Sequence, residues 1–182
     1  MSGARGWLAE AERLDLACYA AIAATPTPRL DRAMSRLSDA ADYSRLSLAA
    51  AAGLALFGGA PGRRAAVSGL ASVAVTATVV NVAVKPLARR RRPDRLAHEV
   101  PLPRHIPMPT SRSFPSGHSA AAFAFAGGAG DVLPAVSLPF HALASLVAYS
   151  RVHTGVHYPL DALVGSVLGA TLSDVTRGLS RG

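Results

Sequence analysis

Lysine, cysteine and aromatic residues are all scarce in this 182-residue chain, and two of these scarcities exclude whole classes of function. The single cysteine, Cys18, cannot form an internal disulfide or a thiolate metal cluster. Aromatic side chains make up 5% of the chain, too few to stack bases beside the arginines, so the formal net charge of +8 does not indicate nucleic acid as a partner. Anionic lipid headgroups or a phosphorylated substrate fit that charge better.

An apolar run near the start is also missing, so we predict no secretory signal peptide. Half of the residues are hydrophobic, mainly alanine, valine and leucine, which favours close-packed helices over a sheet. Residues 65–84 carry no charge and reach the roughly 20 residues that a span across a bilayer needs. We therefore predict a compact transmembrane helix bundle, with a soluble helical bundle as the alternative. Shorter apolar segments of this bundle are predicted at 46–60, 118–133, 135–149 and 160–175.

The length of the chain predicts one domain over residues 1–182. Within it, we expect residues 1–42 to lie at the membrane interface and residues 43–178 to form the membrane core. The interfacial part is predicted as helices at 8–24 and 29–42, separated by a Thr-Pro-Thr-Pro break. The second helix has an apolar stripe, with Asp31 expected on its polar side.

If 65–84 and the three later apolar segments all cross the membrane, the polar loop 86–115 and the ends of those helices emerge on one face. Three short motifs lie at these ends, and we expect them to form one site there.

The first motif is Lys85, the only lysine of the chain, followed seven residues later by Arg92. An ammonium group and a planar guanidinium would together neutralise a phosphate. The alternative is a polybasic segment at Arg89–Arg92 that binds lipid headgroups.

The second motif, Pro115-Ser116-Gly117-His118, opens an apolar helix. The Ser116 hydroxyl and the free N–H groups of a first helical turn form an anion site, and Gly117 lets a phosphate approach the backbone closely. His118 is then placed beside the bound group. An ordinary serine N-cap is the alternative.

The third motif joins Ser150-Arg151 to His157 and Asp161. The spacing across a helix start lets the Asp161 carboxylate accept the ring N–H of His157 and leave the other nitrogen free to attack phosphorus. Arg151 would add a third cation for the phosphoryl oxygens. The alternative is a structural His–Asp pair at the membrane interface. His153 lies close enough in sequence to contact a substrate.

Together these three motifs resemble the tripartite signature of the type 2 phosphatidic acid phosphatase superfamily, from Lys85 to Asp161. The resemblance implies an all-α core of about six membrane helices. It implies hydrolysis through a phosphohistidine without a metal or other cofactor. By that resemblance, His157 is the nucleophile, Asp161 its orienting partner and His118 the acid. The residues that would hold the phosphate are Lys85, Arg92, Ser116, Gly117 and Arg151.

We therefore expect an integral membrane phosphatase that removes a terminal phosphate from a lipid, with the bilayer and the lipid phosphate as its partners. The candidate substrates are phosphatidic acid, phosphatidylglycerophosphate, and polyprenyl phosphates, diphosphates or phosphosugars, and the arginine-rich loop favours the polyprenyl carriers. The resemblance implies a bacterial cytoplasmic membrane with the site facing outward, whereas the arginines of the site face would follow the positive-inside rule into the cytoplasm. Two other functions stay open: non-catalytic binding of anionic lipid, and a soluble acid phosphatase for small esters. No oligomeric state is predicted.

Overall fold

The protein was analysed as a computed structural model that describes the backbone of residues 2–181 and the side chains of residues 6–178. Within that range the secondary structure is helical and contains no strand. The elements are α1 Ser2–Ala24, α2 Pro28–Ala40, α3 Arg45–Phe57, α4 Gly59–Thr78, α5 Lys85–Leu87, α6 Gly117–Val132, α7 Ser137–His153 and α8 Pro159–Arg181.

A π-helical segment, Val79–Val84, joins α4 to the short α5, so the helix runs without a break from Gly59 to Leu87. Among the described helices it is the one long and apolar enough to cross a membrane by length and composition. Large apolar side chains also remain exposed around the bundle, as expected where lipid rather than water surrounds a protein. They include Phe57, Val67, Val82, Leu138, Leu163 and Val167.

The bundle is built around α6, which packs against α4, α7 and α8. Its contact with α8 is close because Gly165 and Gly169, one turn apart, face the α6 backbone. A Cβ at either glycine would overlap the carbonyl oxygen of Ser116 or of Ala120. Small residues at this spacing are the usual means of close helix contact in membranes. The close packing also fixes the start of α6 beside the start of α8.

On the site face, buried Arg104 fastens the long loop to the turn between α1 and α2. Its guanidinium donates to the carbonyl oxygens of Ile22 at 2.9 Å and Thr25 at 2.6 Å, which caps the end of α1. It also pairs with Asp31 at 2.8 Å. Asp31, which the sequence places off the apolar stripe of its helix, is nevertheless buried, because its carboxylate pairs with Arg104 and His153.

The segments predicted at 29–42, 46–60 and 118–133 match observed helices to within three residues, whereas the helices predicted at 8–24, 65–84 and 160–175 extend about six residues further at one end. One further difference bears on the site. The segment predicted at 135–149 is observed as Ser137–His153, about one turn longer at its end. The extra turn carries Arg151 and His153 inside the helix, where Thr154 and Gly155 then end it with bonds to the carbonyl oxygens of Ser150 and Val152. Arg151 is therefore held by a regular helix rather than by a loop.

Candidate active site

The three motifs lie together at one end of the bundle, where α5 ends and α6 and α8 begin. The backbone N–H of Ser116 donates to the carbonyl oxygen of Asp161 at 2.9 Å, which ties the second motif to the third. The Arg92 guanidinium lies 3.2 Å from Nε2 of His157, which ties the first motif to the third. The sequence-predicted site residues are thus neighbours in space.

Asp161 is fully buried and its two oxygens are both occupied. Oδ1 accepts from Arg90 at 2.8 Å, and Oδ2 accepts from the Ser113 hydroxyl at 2.5 Å and the Tyr158 N–H at 3.0 Å. Three donors fix the carboxylate in place and keep it ionised. It faces Nδ1 of His157 at 3.5 Å, an ion-pair distance that is long for a hydrogen bond.

The His157 ring is buried and lies between Asp161 and Arg92. Burial lowers its pKa to about 4; Asp161 opposes the shift, whereas the positive charges of Arg92 and Arg151 add to it. The ring is therefore neutral near pH 7. With Arg92 donating to Nε2, the proton belongs on Nδ1, towards Asp161. This tautomer leaves a lone pair on Nε2.

Arg92 is held by the loop and by the residue before His157. It donates to the carbonyl oxygen of Ser111 at 2.8 Å and to that of Val156 at 2.7 Å. Burial and the nearby Arg151 charge lower the pKa of Arg92 to about 10, with Asp161 acting in the opposite direction. The guanidinium stays charged at neutral pH, in surroundings where a further negative charge would be favourable.

Arg151 provides the clearest sign of an anion site. Its side chain is fully buried, and Nη1 bonds to the carbonyl and hydroxyl oxygens of Ser38 at 3.1 and 2.8 Å and to Asp42 at 3.3 Å. Within the described structure its Nε and Nη2 are buried without a hydrogen-bond partner. Because an unpaired buried donor is costly, two such donors on one guanidinium indicate a site for an anion.

His118 stands in the first turn of α6, with its Nε2 2.8 Å from an Asp42 oxygen. Ser116 caps this helix: its hydroxyl accepts from the Ser119 N–H at 3.4 Å, and also from the Ser119 hydroxyl at 2.9 Å. Lys85 lies beside the turn, since its Nζ would be 3.5 Å from a Cβ placed on Gly117. A larger side chain at Gly117 would therefore crowd the ammonium group and the free N–H groups of the turn.

Sequence reasoning missed several residues that hold this site, among them Arg90 and Asp42. Arg90, read only as part of a basic run, bridges Asp161 and the buried Asp15 of α1, at 2.8 and 2.5 Å. Asp42, at the turn between α2 and α3, contacts His118 and Arg151. In contrast, His153 is buried and bonds to Asp31 at 2.9 Å, so it serves the fold and not the site.

Two cavities open beside His118. One, of about 180 Å³, runs between α4 and α6 and is lined mainly by small and apolar residues such as Ala77, Val80 and Ala121, with Lys85 at its rim. The other, of about 390 Å³, lies under the loop at 107–111 and includes Asp42 and Tyr43. One molecule with an apolar part and a polar part would be accommodated across the two.

Comparison with known proteins points in the same direction as the geometry. A model of the PAP2 superfamily matches residues 65–179. Decaprenylphosphoryl-5-phosphoribose phosphatase of Mycobacterium tuberculosis is 38% identical over 113 residues, which are 60% of this chain and 58% of that protein. The match therefore spans less than two thirds of this relative's length.

Two solved structures share the fold over nearly the whole chain. LpxE of Aquifex aeolicus has a TM-score of 0.71 and 25% identity, with 91% of this chain and 95% of that one covered. A transmembrane PAP2 type phosphatidylglycerolphosphate phosphatase from Bacillus subtilis has a TM-score of 0.70 and 26% identity, with 94% and 87% covered. The helical bundle is therefore that of a membrane protein.

Proposed function

Because the chain belongs to the PAP2 superfamily, we propose that it hydrolyses the terminal phosphate of a membrane lipid by means of a phosphohistidine. The observation that carries the proposal is the set of groups around Nε2 of His157. The guanidinium of Arg92 touches this nitrogen, and the two unpaired donors of Arg151 are buried close by. A nucleophile and cations placed together are what phosphoryl transfer needs.

In the first step, the Nε2 lone pair of His157 forms a bond to phosphorus while the bond from phosphorus to the leaving alcohol oxygen breaks. His118 gives its proton to that oxygen. Lys85, Arg92, Arg151 and the N–H groups at Gly117 hold the phosphoryl oxygens.

In the second step, the now neutral His118 takes a proton from water. The oxygen of that water attacks phosphorus, the bond from phosphorus to nitrogen breaks, and phosphate leaves. Asp161, which faces Nδ1 at 3.5 Å, stabilises the positive charge that His157 carries as a phosphohistidine. Both steps use side chains of this chain, and we expect turnover to persist without a metal.

A polyprenyl-linked phosphosugar is the substrate class that we favour. Its support is the 38% identity to a decaprenylphosphoryl-5-phosphoribose phosphatase and the pair of cavities beside His118. The groove between α4 and α6 would take the apolar part nearest the phosphate. The larger cavity, which Asp42, Thr110 and Ser111 help to line, would take the headgroup.

We also propose that the site faces away from the cytoplasm of a bacterial cell. Several arginines of the site face are held by protein groups: Arg90 by two carboxylates, Arg92 by two carbonyl oxygens and Arg104 by the end of α1. Because protein groups already pair with these arginines, they contribute less to the orientation in the membrane than the positive-inside rule assumes from their number. Exposed Arg63 and Arg64 lie at the far end of α4 and favour the cytoplasm for that end.

The experiment is phosphate release by detergent-purified protein from a panel of lipid phosphates, with EDTA present and His157→Ala as the control. The panel contains phosphatidic acid, phosphatidylglycerophosphate, a polyprenyl diphosphate and a polyprenyl-linked phosphosugar. We expect release that EDTA does not reduce, that is fastest on the phosphosugar and that is lost in the variant. Folded protein that only binds these lipids would instead support the lipid-binding alternative.

A further inference from the structure

The two histidines of the site each face a carboxylate, but the second pairing is not part of the three motifs. The Asp42 oxygen that lies 2.8 Å from Nε2 of His118 is separated from it by 76 residues of sequence. The same oxygen accepts from Arg151 at 3.3 Å. Within the described structure, Nδ1 of His118 makes no hydrogen bond, so Asp42 engages one ring nitrogen and leaves the other for a substrate.

The backbone around Asp42 is arranged to bring this carboxylate into the site. The two residues that follow, Tyr43 and Ser44, have φ values of 54° and 56°, in the left-handed region that is unfavourable for residues other than glycine. Neither is glycine, so the turn carries a conformational cost. Strained backbone of this kind persists when surrounding contacts enforce it, and it is concentrated at functional sites.

Those contacts come from α7. Arg151 donates to the carbonyl oxygen and the hydroxyl of Ser38, at the end of α2, and to Asp42 beyond it. The turn is thus anchored to the helix that carries the phosphate-binding guanidinium. It places Asp42 between that cation and His118.

We propose that Asp42 is a positioning residue for His118, which it holds with the proton-transferring nitrogen, Nδ1, towards the leaving group. The inference rests on the proposed phosphatase function. Burial and the Arg151 charge disfavour a charged His118 ring, and Asp42 opposes them; the negative charge of a bound phosphate would add to the effect of Asp42. With both ring nitrogens then protonated, His118 gives the Nδ1 proton to the leaving oxygen as the bond from phosphorus to oxygen breaks. The proton on Nε2 stays in its hydrogen bond to Asp42, so the neutral ring keeps one tautomer and one orientation.

A role in proton donation is distinguished from a purely structural role by the leaving group. An alkyl alcohol is a poor leaving group and needs the proton, whereas 4-nitrophenolate leaves readily without it. Loss of a positioned acid therefore slows alkyl esters far more than aryl esters. Loss of a phosphate-binding contact slows both alike, because the phosphoryl group is the same in both.

The test compares Asp42→Asn with wild type in single-turnover experiments on two substrates. One is the lipid phosphate that wild type hydrolyses fastest, an alkyl ester, and the other is 4-nitrophenyl phosphate. Asp39→Asn is the matched control, since Asp39 is exposed on α2 three residues earlier and its loss removes the same charge near Arg151. Single turnover isolates the phosphorylation step from the later attack by water.

We expect Asp42→Asn to lower the ratio of the alkyl rate to the aryl rate by about 10-fold or more, in the same direction as His118→Ala. Asp39→Asn should leave the ratio unchanged. In a His118→Ala background, Asp42→Asn should produce no further change in the ratio, because the group it positions is gone.

An equal slowing of both substrates by Asp42→Asn would overturn the proposal and assign the carboxylate to Arg151 alone. A wild-type rate in folded Asp42→Asn protein would overturn it as well. If Asp42→Asn does not fold, Asp42→Glu replaces it, and the same ratio decides. If the wild-type protein releases phosphate from neither substrate, the proposed phosphatase function itself is wrong.

Discussion

Four consecutive arginines, residues 89 to 92, divide between two environments because the segment after α5 has no helix. In extended backbone alternate side chains point to opposite sides. Arg90 and Arg92 are half-buried in the site, while Arg89 and Arg91 are exposed. The sequence shows only a basic run, which is equally typical of a headgroup-binding segment. The alternation of exposed and half-buried arginines can be predicted only when the segment is known to be extended and to lie across the site.

Arg90 gives a prediction about the support of the nucleophile. Its guanidinium lies 4.1 Å from the centre of the Tyr158 ring and reaches Asp15 and Asp161 at once. A lysine has one point charge and cannot span two carboxylates in this way. We expect Arg90→Lys to lower kcat by about 10- to 100-fold with little change in KM.

The matched control for this variant is Arg91→Lys, at the exposed neighbour, which should retain the wild-type kcat. Steady-state kinetics on the same lipid phosphate measure both variants. An Arg90→Lys enzyme that keeps its kcat but shows a raised KM would mean that Arg90 binds the substrate directly and does not support Asp161.

His157 gives a prediction about pH. Its pKa of about 4 in the folded protein lies below the value of about 6.5 expected for an unfolded chain. Between these values the unfolded chain binds a proton that the folded protein does not. Stability should therefore fall as pH falls from about 6.5 towards 4, and the ring should stay neutral above pH 5.

Nitrogen NMR of the imidazole ring in detergent-purified protein measures this directly, with His157→Asn used to assign the signal. We expect no titration of this ring between pH 5 and pH 8. A midpoint near 6.5 would show that the ring is hydrated and is not held between Asp161 and Arg92 as described.

Contacts that the sequence predicts differ from those that it does not predict in the sequence separation of their two residues. His157 and Asp161 stand four positions apart across a helix start, so a local rule predicts their contact. The contact between Arg90 and Asp161 spans 71 residues, and that between Asp42 and His118 spans 76. Pairings over such separations leave no periodic signal and depend on how whole helices pack.

At the scale of elements, the site exists because helix ends converge. The chain predicts this from the positions of its apolar segments, since Lys85 lies in the last turn of one helix and His118 and Asp161 lie in the first turns of two others. The closeness of α6 and α8 is less visible in the sequence. It depends on Gly165 facing Ser116, the residue that opens the second motif.

Gly165→Ala tests this contact. The added Cβ would overlap the backbone of Ser116, which has no flexible side-chain atom to yield, so the start of α6 must shift. We expect a loss of about 1–3 kcal/mol of stability. Activity should fall by more than that loss explains, because a small displacement of His118 misaligns the acid.

Thermal unfolding in detergent and lipid phosphate hydrolysis together measure the effect. Gly53→Ala, on α3, is the control, because a Cβ there meets nothing within 4 Å. It should leave stability equal to or above that of wild type. A Gly165→Ala protein as stable and active as wild type would show that the two helices are farther apart than described.

At the scale of the whole molecule, the bundle has two ends of different character. The site end carries the long loop and its bound arginines, and the other end carries Arg63 and Arg64 at the start of α4 together with Arg177. The apolar surface lies between them. If the apolar surface lies in a bilayer, we expect the candidate site to lie at the level of the lipid headgroups.

The orientation can be tested with single cysteines in a Cys18→Ser background. We expect Leu102→Cys, which replaces an exposed residue of the site-side loop, to react with a membrane-impermeant maleimide applied to intact bacterial cells. Ala135→Cys, in the turn at the opposite end, should react only after the cells are permeabilised. The reverse pattern would place the site in the cytoplasm, as the positive-inside rule alone predicts.

The central claim is that His157 carries the phosphoryl group between the two steps. The most direct measurement is to quench the enzyme within one turnover of a ³²P-labelled lipid phosphate at alkaline pH, where a phosphohistidine survives, and to map the label by mass spectrometry. We expect the label on His157 and its absence in His157→Ala. Turnover without any labelled protein, or label on another residue, would contradict the account.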